Sequence, residues 1–530
     1  MKDKINSHTV FFFPDPRSPV PDPRSPIPVS ESPVFDQIIK HVRVVRPHQD
    51  AVELLDLGIK DGKFAQIAPH ISPDQGKEIF DGQNLLGFPG VVDAHMHIGI
   101  YQPLDQDAVT ETKAAAMGGV TTSLNYIRTG QYYLNKGGSY QDFFPQVLAL
   151  SQGNFFVDYG YHIAPISATH INEMQMLFEE YGIGSFKIFM FYGGYGLHGL
   201  SEQQNLFLMI NKEERYDLAH FEFIMRGLTK LRELYPEASD RLSLSLHCEV
   251  AEILNAYTKI VQQDTTLTGL KAYSAARPPH SEGLAICIAS YLAHETNCFN
   301  INLLHLSSRK AVEAALMMQT VFPHINFRRE VTVGHLLLDI DTPTGKWAKV
   351  NPPIRPRSDV EYLWQAVLNR QVDWIVSDHA CCAAEQKASQ KDPNNIWLAK
   401  SGFGGTEYLL SGIFSEGSKR GMSYNHMAEL LSWNPAQRFG LSSKGDIAVG
   451  YDADLVLLDP NETFVVRASE SESQQGYTPF EGLELTGRVK TTFLRGKKIF
   501  DQGQVIGTPR GRYLSRNGGV SQIFKKPVCD

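Results

Sequence analysis

Residues of the types that bind metal ions follow a strand-like run near residue 90. The run reads Gly87-Phe88-Pro89-Gly90-Val91-Val92-Asp93-Ala94-His95-Met96-His97, with apolar and β-branched residues leading into the polar cluster. Because side chains alternate across a strand, Asp93, His95 and His97 point to the same side. Two neutral imidazoles at that spacing can share one metal ion. The alternative is that they are ordinary polar residues at a strand terminus, and a lone His-x-His motif does not decide between the two.

Further residues with metal-ligating or acid–base chemistry lie at the ends of other strand-like runs, or within them. They are Lys187, His247, His305 and Asp378. Lys187 has apolar neighbours on both sides, and burial would favour its uncharged, reactive amine. Any one of these residues alone is more often structural than functional. Together with His95 and His97 they supply four histidines, one aspartate and one lysine, which indicates a metal centre.

The elements that must position these candidates alternate between strand-like and helical patterns. Strand-like runs occupy residues 120–126, 155–163, 185–190, 242–247, 301–306 and 374–376, and helical runs occupy residues 171–181 and 309–320. Repeated β-then-α order over this length implies a parallel sheet with crossover helices, for which a closed barrel is the economical solution. We therefore predict an α/β fold with a (β/α)8 TIM-like catalytic barrel over residues 89–439, with the candidates at the C-terminal ends of its strands.

Short β-type runs lie on both sides of the barrel region. They cover residues 37–45, 51–59 and 63–67 before it, and residues 447–449, 453–458, 464–467, 487–494 and 498–500 after it. Asp-Gly turns break the first group, which is typical of a small sheet. We expect residues 36–88 and 440–513 to form one small flanking β-sandwich domain built from both chain ends, a pairing that the sequence alone leaves open.

Three segments fall outside these elements. Residues 1–35 contain the near-repeat Pro-Asp-Pro-Arg-Ser-Pro, whose proline density favours a flexible, extended tail over a segment that docks on a partner. Residues 514–530 are expected to be a C-terminal tail. The stretch 195–216 reads as an inserted loop or lid over the pocket mouth, or as a contact with a neighbouring subunit. The residues of this stretch expected near the pocket mouth are Tyr195, His198, Phe207 and Tyr216.

The composition of the 530 residues limits the classes of function. A formal net charge of −8 and a pI near 6.1 argue against a nucleic-acid surface, which would need a basic patch. No apolar run approaches the length of a membrane span, and the first apolar run is too short for a signal peptide. The six cysteines show no regular spacing, which favours free thiols in a reducing, cytoplasmic setting.

The motifs, taken in order, resemble those of the cyclic amidohydrolases, the dihydropyrimidinase, hydantoinase and allantoinase group of the superfamily that includes dihydroorotase. The resemblance extends from the first β segment to residue 513. The matching motifs are Asp93-Ala94-His95-Met96-His97, Phe186-Lys187-Ile188-Phe189-Met190-Phe191-Tyr192, His247-Cys248-Glu249, Ala276-Arg277-Pro278-Pro279, His305-Leu306-Ser307, Asn351-Pro352-Pro353-Ile354-Arg355, Ser377-Asp378-His379, Asn434-Pro435-Ala436, Gly450-Tyr451-Asp452-Ala453-Asp454 and Thr478-Pro479-Phe480-Glu481-Gly482. The resemblance implies a centre of two divalent metal ions, usually zinc, bridged by a lysine that carbon dioxide has carboxylated.

Carried over residue by residue, the resemblance assigns all six candidates to the metal centre. The ligands that it implies are His95, His97 and Asp378 for the more buried ion, and His247 and His305 for the other. Carboxylated Lys187 would bridge the two ions. A carbamate turns a cationic lysine into an anionic oxygen ligand, which compensates the charge of two divalent ions.

The resemblance also implies the reaction and the remaining roles. A metal-bound hydroxide would open a cyclic amide, imide or ureide of dihydropyrimidine, hydantoin or allantoin type. Asp378 would act as the general base, and Tyr192 would donate a hydrogen bond to the oxyanion. Thr332 and Asn351 would bind the ring amide. Gly99 stands where dihydroorotases usually carry an arginine that grips the substrate carboxylate, so dihydroorotate is expected to be a poor substrate.

Two other functions use the same fold. The same chemistry run in reverse would close a ring in a biosynthetic pathway, and the residues do not separate the two directions. A non-catalytic scaffold, like some dihydropyrimidinase relatives of nervous tissue, is disfavoured because all six ligand positions hold competent residues. Relatives are often tetramers, so by analogy we expect a homo-oligomer, a dimer or a tetramer. It would act on a small molecule and have no nucleic-acid or membrane partner.

Overall fold

The computed structural model describes residues 35–193 and 203–517, whose strands form two sheets. The first five strands are β1 (Phe35–Arg46), β2 (Gln49–Lys60), β3 (Lys63–Ala68), β4 (Gly76–Asp81) and β5 (Leu86–Pro89). The next eight are β6 (Val91–Met96), β7 (Val120–Ile127), β8 (Asp158–Ile163), β9 (Ser185–Phe189), β10 (Ser243–His247), β11 (Asn300–Leu303), β12 (Asn326–Thr332) and β13 (Trp374–Val376). The last four are β14 (Leu455–Val465), β15 (Glu484–Leu494), β16 (Lys497–Asp501) and β17 (Gln504–Val505).

The strands β6 to β13 pair in sequence order as one parallel sheet. A further parallel bridge joins Met96 to His379, so the sheet is nearly closed into a barrel. Seven of the eight strands are buried along their whole length, as expected where helices cover a parallel sheet. The predicted TIM-like barrel with a separate β domain is confirmed.

Helices follow most of the barrel strands. They are α1 (Leu104–Met117), α2 (Tyr140–Ser151), α3 (Ala168–Tyr181), α4 (Gln204–Leu208), α5 (Leu218–Leu234), α6 (Ala251–Gln263), α7 (Gly269–Ala276), α8 (Pro279–Glu295), α9 (Arg309–Val321), α10 (Val333–Leu337), α11 (Arg357–Leu368), α12 (Ala384–Lys387), α13 (Leu409–Lys419), α14 (Tyr424–Ala428) and α15 (Asn434–Arg438). Several begin at a residue whose side chain accepts a backbone N–H: Ser139, Ser167, Asp217 and Ser308. Among the described residues, no helix has both the length and the apolar composition needed to cross a membrane.

Both ends of the chain contribute to the second sheet. Its strands run in the order β17-β16-β15-β14-β5-β1-β2-β3, with β4 paired to β1. β5 joins the two halves, because it pairs antiparallel with β14 and parallel with β1. Only Gly90 separates β5 from β6, so this sheet also fixes the position of the first barrel strand.

Two strand predictions in the flanking domain need correction. Residues 447–449 form a loop. Ile447 of this loop packs into the apolar core beside the sheet, and this burial explains the short apolar run that is typical of a strand. The runs predicted at 453–458 and 464–467 belong largely to one strand, β14. Its pairing with β15 is irregular between Asp459 and Thr463. This irregularity accommodates Pro460, a residue type that suggests a turn.

The predicted tails lie mostly beyond the described residues. Of the N-terminal tail, residues 1–35, only Phe35 is described, and it begins β1. The predicted C-terminal tail starts at residue 514, but its first four residues pack against the barrel. Leu514 N donates to Tyr159 O at 2.8 Å, and Arg516 N donates to Gly182 O at 3.0 Å. Residues 518–530 lie outside the described part of the chain.

Candidate active site

A cleft at the C-terminal edge of the barrel strands collects the six residues predicted to bind metal. Lys187 lies in β9, and His247 ends β10. His305 and Asp378 each lie two residues beyond a strand, after β11 and β13. The cleft measures about 490 Å³ out to its open mouth, and five of the six residues line it. The sixth, His95, lies behind them and is completely buried.

His95 and Asp378 form the centre of this cluster. His95 Nε2 lies 3.1 Å from Asp378 Oδ1 and 3.2 Å from Lys187 Nζ. His97 Nε2 lies 3.3 Å from the same carboxylate oxygen. His305 brings a ring nitrogen within 4.8 Å of ligand atoms of both His95 and Asp378. At these separations, the side chains can act as ligands of a shared cation.

His247 extends the cluster on the far side of His305, with 4.3 Å between the two ring centroids. Its Nε2 lies 2.7 Å from Glu249 Oε2, which leaves Nδ1 as the other ring nitrogen for a ligand. Arg277 in turn donates from Nε to Glu249 Oε1 at 3.0 Å. The structure therefore brings all six predicted residues together, with a buried ion pair behind His247.

Two residues without a predicted role fix the orientation of the other rings. Glu330 Oε1 lies 2.7 Å from His95 Nδ1, and the Tyr133 hydroxyl lies 2.9 Å from His97 Nδ1. In each ring the second nitrogen, Nε2, then faces the cluster, which is how outer partners orient metal-binding histidines. Glu330 lies near the end of β12, a position that could have singled it out. Tyr133 lies in a loop and gives no comparable signal.

Two of the six residues adopt a left-handed backbone conformation. The φ angles are 36° at His305 and 54° at Asp378. Residues other than glycine take up such angles at a cost of about 1–2 kcal/mol. Contacts hold both segments in place, since His305 N donates to Glu330 Oε1 at 3.1 Å and His97 N donates to His379 O at 2.8 Å. Backbone strain of this kind concentrates at functional sites.

Burial sets the protonation states in the cluster. It lowers the pKa of Lys187 to about 7, although the charges of Asp378 and Glu330 partly oppose it. Burial also lowers the pKa of all four histidines, so their rings are neutral and offer a lone pair. Burial alone would raise the pKa of Asp378, but contacts with His95 and His97 outweigh it and hold that pKa well below its usual range. Neutral nitrogen ligands therefore surround one ionised carboxylate.

Of the three predicted substrate contacts, Tyr192 and Asn351 line the cleft. Asn351 Oδ1 accepts a hydrogen bond from the Tyr273 hydroxyl at 2.5 Å. Thr332 is not among the described residues that line the cleft. Its hydroxyl caps α10 and accepts the backbone N–H of His335 at 3.1 Å. A hydroxyl used as a helix cap is not offered to a substrate, so the structure does not bring Thr332 to the site.

The position at which the resemblance places an arginine in dihydroorotases leaves little room for a side chain. Gly99 has a φ of 84°, and a Cβ added there would lie 2.9 Å from Leu104 Cδ1. Its backbone N–H donates to Asp107 Oδ2 at 2.6 Å, which holds this conformation. The absence of a cationic side chain here follows from the backbone as well as from the residue type.

The predicted lid is only partly described. Its residues outside the described ranges include Tyr195 and His198. Phe207 and Tyr216 are both buried. The Phe207 ring centroid lies 5.1 Å from that of Tyr192, and the Tyr216 hydroxyl accepts the backbone N–H of Phe189 at 2.9 Å. The described part of the insertion therefore packs against the wall of the cleft.

Comparisons with known proteins identify relatives of this chain. The Amidohydrolase family matches residues 300–499. The chain is 30% identical to an allantoinase of Rubrobacter xylanophilus, with 91% of this chain and 97% of that protein covered. It is also 30% identical to a D-hydantoinase of Rhizobium radiobacter, with 91% and 99% covered. The crystal structure of dihydropyrimidinase from Brevibacillus agri superposes with a TM-score of 0.77 at 25% identity, with 91% and 98% covered. The predicted resemblance is confirmed, and the chain belongs to the amidohydrolase family, within its group of hydrolases that act on cyclic amides.

Proposed function

We propose that the chain is a metal-dependent hydrolase that opens a small cyclic ureide or imide of hydantoin, dihydropyrimidine or allantoin type. The observation that carries this proposal is the convergence of four neutral histidines, an ionised aspartate and a buried lysine in one cleft and directly behind its wall. The relatives named allantoinase and D-hydantoinase favour this class of ring. The cleft lies at the C-terminal edge of the barrel strands, which is where this fold places its small-molecule sites.

The donor set fits two divalent ions, for which zinc is our first choice. Imidazole nitrogens and carboxylate oxygens are ordinary zinc ligands, and His305 Nδ1 is buried without a hydrogen-bond partner among the described residues. The ligands proposed are His95, His97 and Asp378 for one ion and His247 and His305 for the other, with carboxylated Lys187 shared between them. When bound, such ions polarise a carbonyl and lower the pKa of a water molecule.

Side chains of the cleft would carry the proton and the developing charge. Ionised Asp378 takes a proton from the attacking water and, after the C–N bond breaks, gives it to the departing ring nitrogen. The Tyr192 hydroxyl donates to the carbonyl oxygen as negative charge develops there. The Asn351 side chain offers a polar contact to the ring amide. The proposal does not extend to Thr332, because its hydroxyl is committed to α10.

Replacing Lys187 with alanine tests the proposed metal centre. Metal content and ring opening should fall together, and small carboxylic acids should partly restore both because they stand in for the carbamate. Lys387 is a matched control, since burial also lowers its pKa to about 7 but it donates to the carbonyls of Lys349 and Gly402. Lys387→Ala should not show this rescue. Full wild-type activity without transition metal would contradict the proposal.

Two further variants separate the roles within the cleft. Asp378→Asn should lower turnover by about 10²- to 10⁴-fold, the range usual for a lost general base. Tyr192→Phe should lower kcat by about 10²-fold with metal content intact, because it removes one oxyanion donor. Near-normal turnover of Asp378→Asn would mean that the assigned base is wrong.

The direction of the reaction calls for a separate measurement. Metal-loaded protein incubated with hydantoins, dihydropyrimidines, allantoin and dihydroorotate, and with the corresponding ring-opened acids, identifies both the ring and the favoured direction. Closure of a ring from a carbamoyl acid would support the cyclase alternative. Failure of metal-loaded protein on every ring would favour the scaffold. Assembly into a dimer or tetramer and a cytoplasmic location stay predictions from the sequence.

A further inference from the structure

A buried arginine stands behind the wall of the cleft and forms no ion pair with any residue that the structure describes. Arg128 follows β7 directly and is completely buried. Three aromatic rings surround its guanidinium, with the Cζ atom 4.5 Å from the Phe207 centroid, 5.2 Å from Tyr133 and 5.3 Å from Tyr192. Two of these rings, Tyr133 and Tyr192, line the cleft on their other side.

The hydrogen bonds of Arg128 leave most of its donors unused. Nη1 donates to the Thr129 carbonyl at 2.9 Å. Nε and Nη2 are buried and have no hydrogen-bond partner of normal geometry among the described residues. A buried charge without a partner is costly, and an apolar side chain of similar size would fill a purely structural position at lower cost. The position therefore calls for a reason other than packing.

The guanidinium lies 5.3 Å from the centre of the Tyr192 ring, close enough for its charge to act on the phenol. Burial raises the pKa of Tyr192, and the nearby charge of Arg128 opposes that rise. A cation beside a phenol strengthens it as a hydrogen-bond donor, because it stabilises the negative charge that builds up on the oxygen. The same guanidinium stacks against Phe207 of α4, and Gln131 N donates to the Phe207 carbonyl at 3.1 Å. Arg128 thus links the described part of the insertion to Tyr192.

We propose that Arg128 is a positioning residue that orients and polarises Tyr192 for stabilisation of the oxyanion. The inference rests on the proposed function in that Tyr192 is taken as the oxyanion donor. Arg128 itself does not line the cleft among the described residues, so it acts through the tyrosine and not on the substrate. The interaction matters most when charge develops on the carbonyl oxygen, and its loss should therefore lower kcat more than it raises KM.

A double-mutant cycle tests this coupling. Arg128→Met in the wild-type background should lower kcat about tenfold, less than the loss of the donor itself, with KM and metal content nearly unchanged. In the Tyr192→Phe background the same substitution should change kcat less than about twofold, because the group through which it acts is gone. Equal losses in both backgrounds, or no loss in the wild type, would overturn the inference.

A second measurement does not depend on catalysis. With 3-fluorotyrosine incorporated at position 192, a ¹⁹F titration reports the pKa of that phenol directly. Arg128→Met should raise this pKa, and Arg128→Lys should keep it close to the wild-type value because the charge stays. Arg438→Met is the matched control, since Arg438 is buried elsewhere and donates to Asn302 Oδ1 at 2.7 Å. It should leave the titration unchanged.

The two measurements separate the two possible failures. If the wild-type protein opens no ring but Arg128→Met raises the pKa at position 192, the proposed function fails and the pairing of Arg128 with Tyr192 stands. An unchanged titration in Arg128→Met overturns the pairing whatever the activity. If Arg128→Met does not fold, Arg128→Gln, which also removes the charge, replaces it in the cycle with the same expectations, and Arg128→Lys is the comparison that keeps the charge. The lysine keeps the charge but loses the planar stack, so a kcat within about threefold of wild type is expected.

Discussion

Replacing Glu330 with glutamine tests how the barrel holds its candidate metal ligands. Glu330 is fully buried, and its Oε1 atom lies 2.7 Å from His95 Nδ1. The same oxygen accepts the backbone N–H of His305 at 3.1 Å, and Oε2 accepts the indole N–H of Trp374 at 2.8 Å. Three donors thus converge on two carboxylate oxygens, and two of the donors belong to candidate ligands.

The size of the effect follows from this geometry. Glutamine has the shape of glutamate but only one accepting oxygen, so in either orientation its NH₂ group faces at least one of the three donors. A buried donor left without its acceptor costs about 1–3 kcal/mol, and loss of the outer partner of a metal ligand lowers metal affinity by about 10- to 100-fold. Loss of the negative charge adds to this cost. Burial raises the pKa of Glu330 to about 8, and bound cations would keep it ionised.

Competition with a chromogenic chelator measures the metal affinity of Glu330→Gln, and turnover at saturating metal measures the remaining activity. Asp158→Asn is the matched control, because Asp158 is a buried carboxylate at the opposite end of the barrel, 2.6 Å from Lys444 Nζ. That variant should lower the thermal midpoint without a change in metal affinity. Wild-type metal affinity in Glu330→Gln would refute the idea that this carboxylate holds His95 and His305 ready for a metal.

Three further predictions follow from contacts elsewhere in the site and fold. In metal-free protein, burial lowers the pKa of Lys187 to about 7, so the amine is neutral above that value. Uptake of ¹³C-labelled bicarbonate as a carbamate, followed by ¹³C NMR, should therefore rise as the pH increases through about 7. Lys187→Gln should lack the carbamate signal. Gly99→Ala should lower the free energy of unfolding by about 1–2 kcal/mol because of its positive φ, as measured by chemical denaturation. In the wild type and in Gly99→Ala, turnover of dihydroorotate should stay far below turnover of hydantoin. Equal rates for the two substrates would contradict the idea that the lack of a cationic side chain at position 99 disfavours dihydroorotate. Truncation after residue 513 should lower the thermal midpoint, because it removes the bond from buried Arg516 Nη1 to Ser185 Oγ at 2.7 Å, and an unchanged midpoint would argue against a packed C-terminus.

Residue pattern alone could predict the barrel and the set of candidate ligands. A parallel barrel collects the C-terminal ends of its strands at one edge, so a polar residue at the end of each strand-like run is enough to bring such residues together. The predicted run 374–376 agrees with β13, and the predicted helix 309–320 ends one residue before α9 does. His247 and Asp378 follow from this rule without any knowledge of their neighbours, whereas Lys187 lies within β9.

The outer contacts could not be predicted in this way, because they join residues far apart in the chain. Glu330 and His95 are separated by 235 positions, and only the closed barrel brings them into contact. Thr332 illustrates the opposite case. It ends a strand as the candidate ligands do, but the nearest unsatisfied donors are the N–H groups that begin α10, and a local cap of this kind competes with a ligand.

The charges in the cluster explain why burial and ligand chemistry belong together here. His95 is held at Nδ1 by Glu330, so its neutral Nε2 presents a lone pair to Asp378 Oδ1 at 3.1 Å. Two electron-rich atoms at that distance repel each other in a medium of low dielectric constant unless a proton or a metal cation lies between them. Lys187 is a weak source of that positive charge, because burial lowers its pKa to about 7, and carboxylation would make it an anion. The divalent ions proposed above would balance the set. The burial that removes protons from the lysine and the imidazoles is also what would make them competent metal ligands.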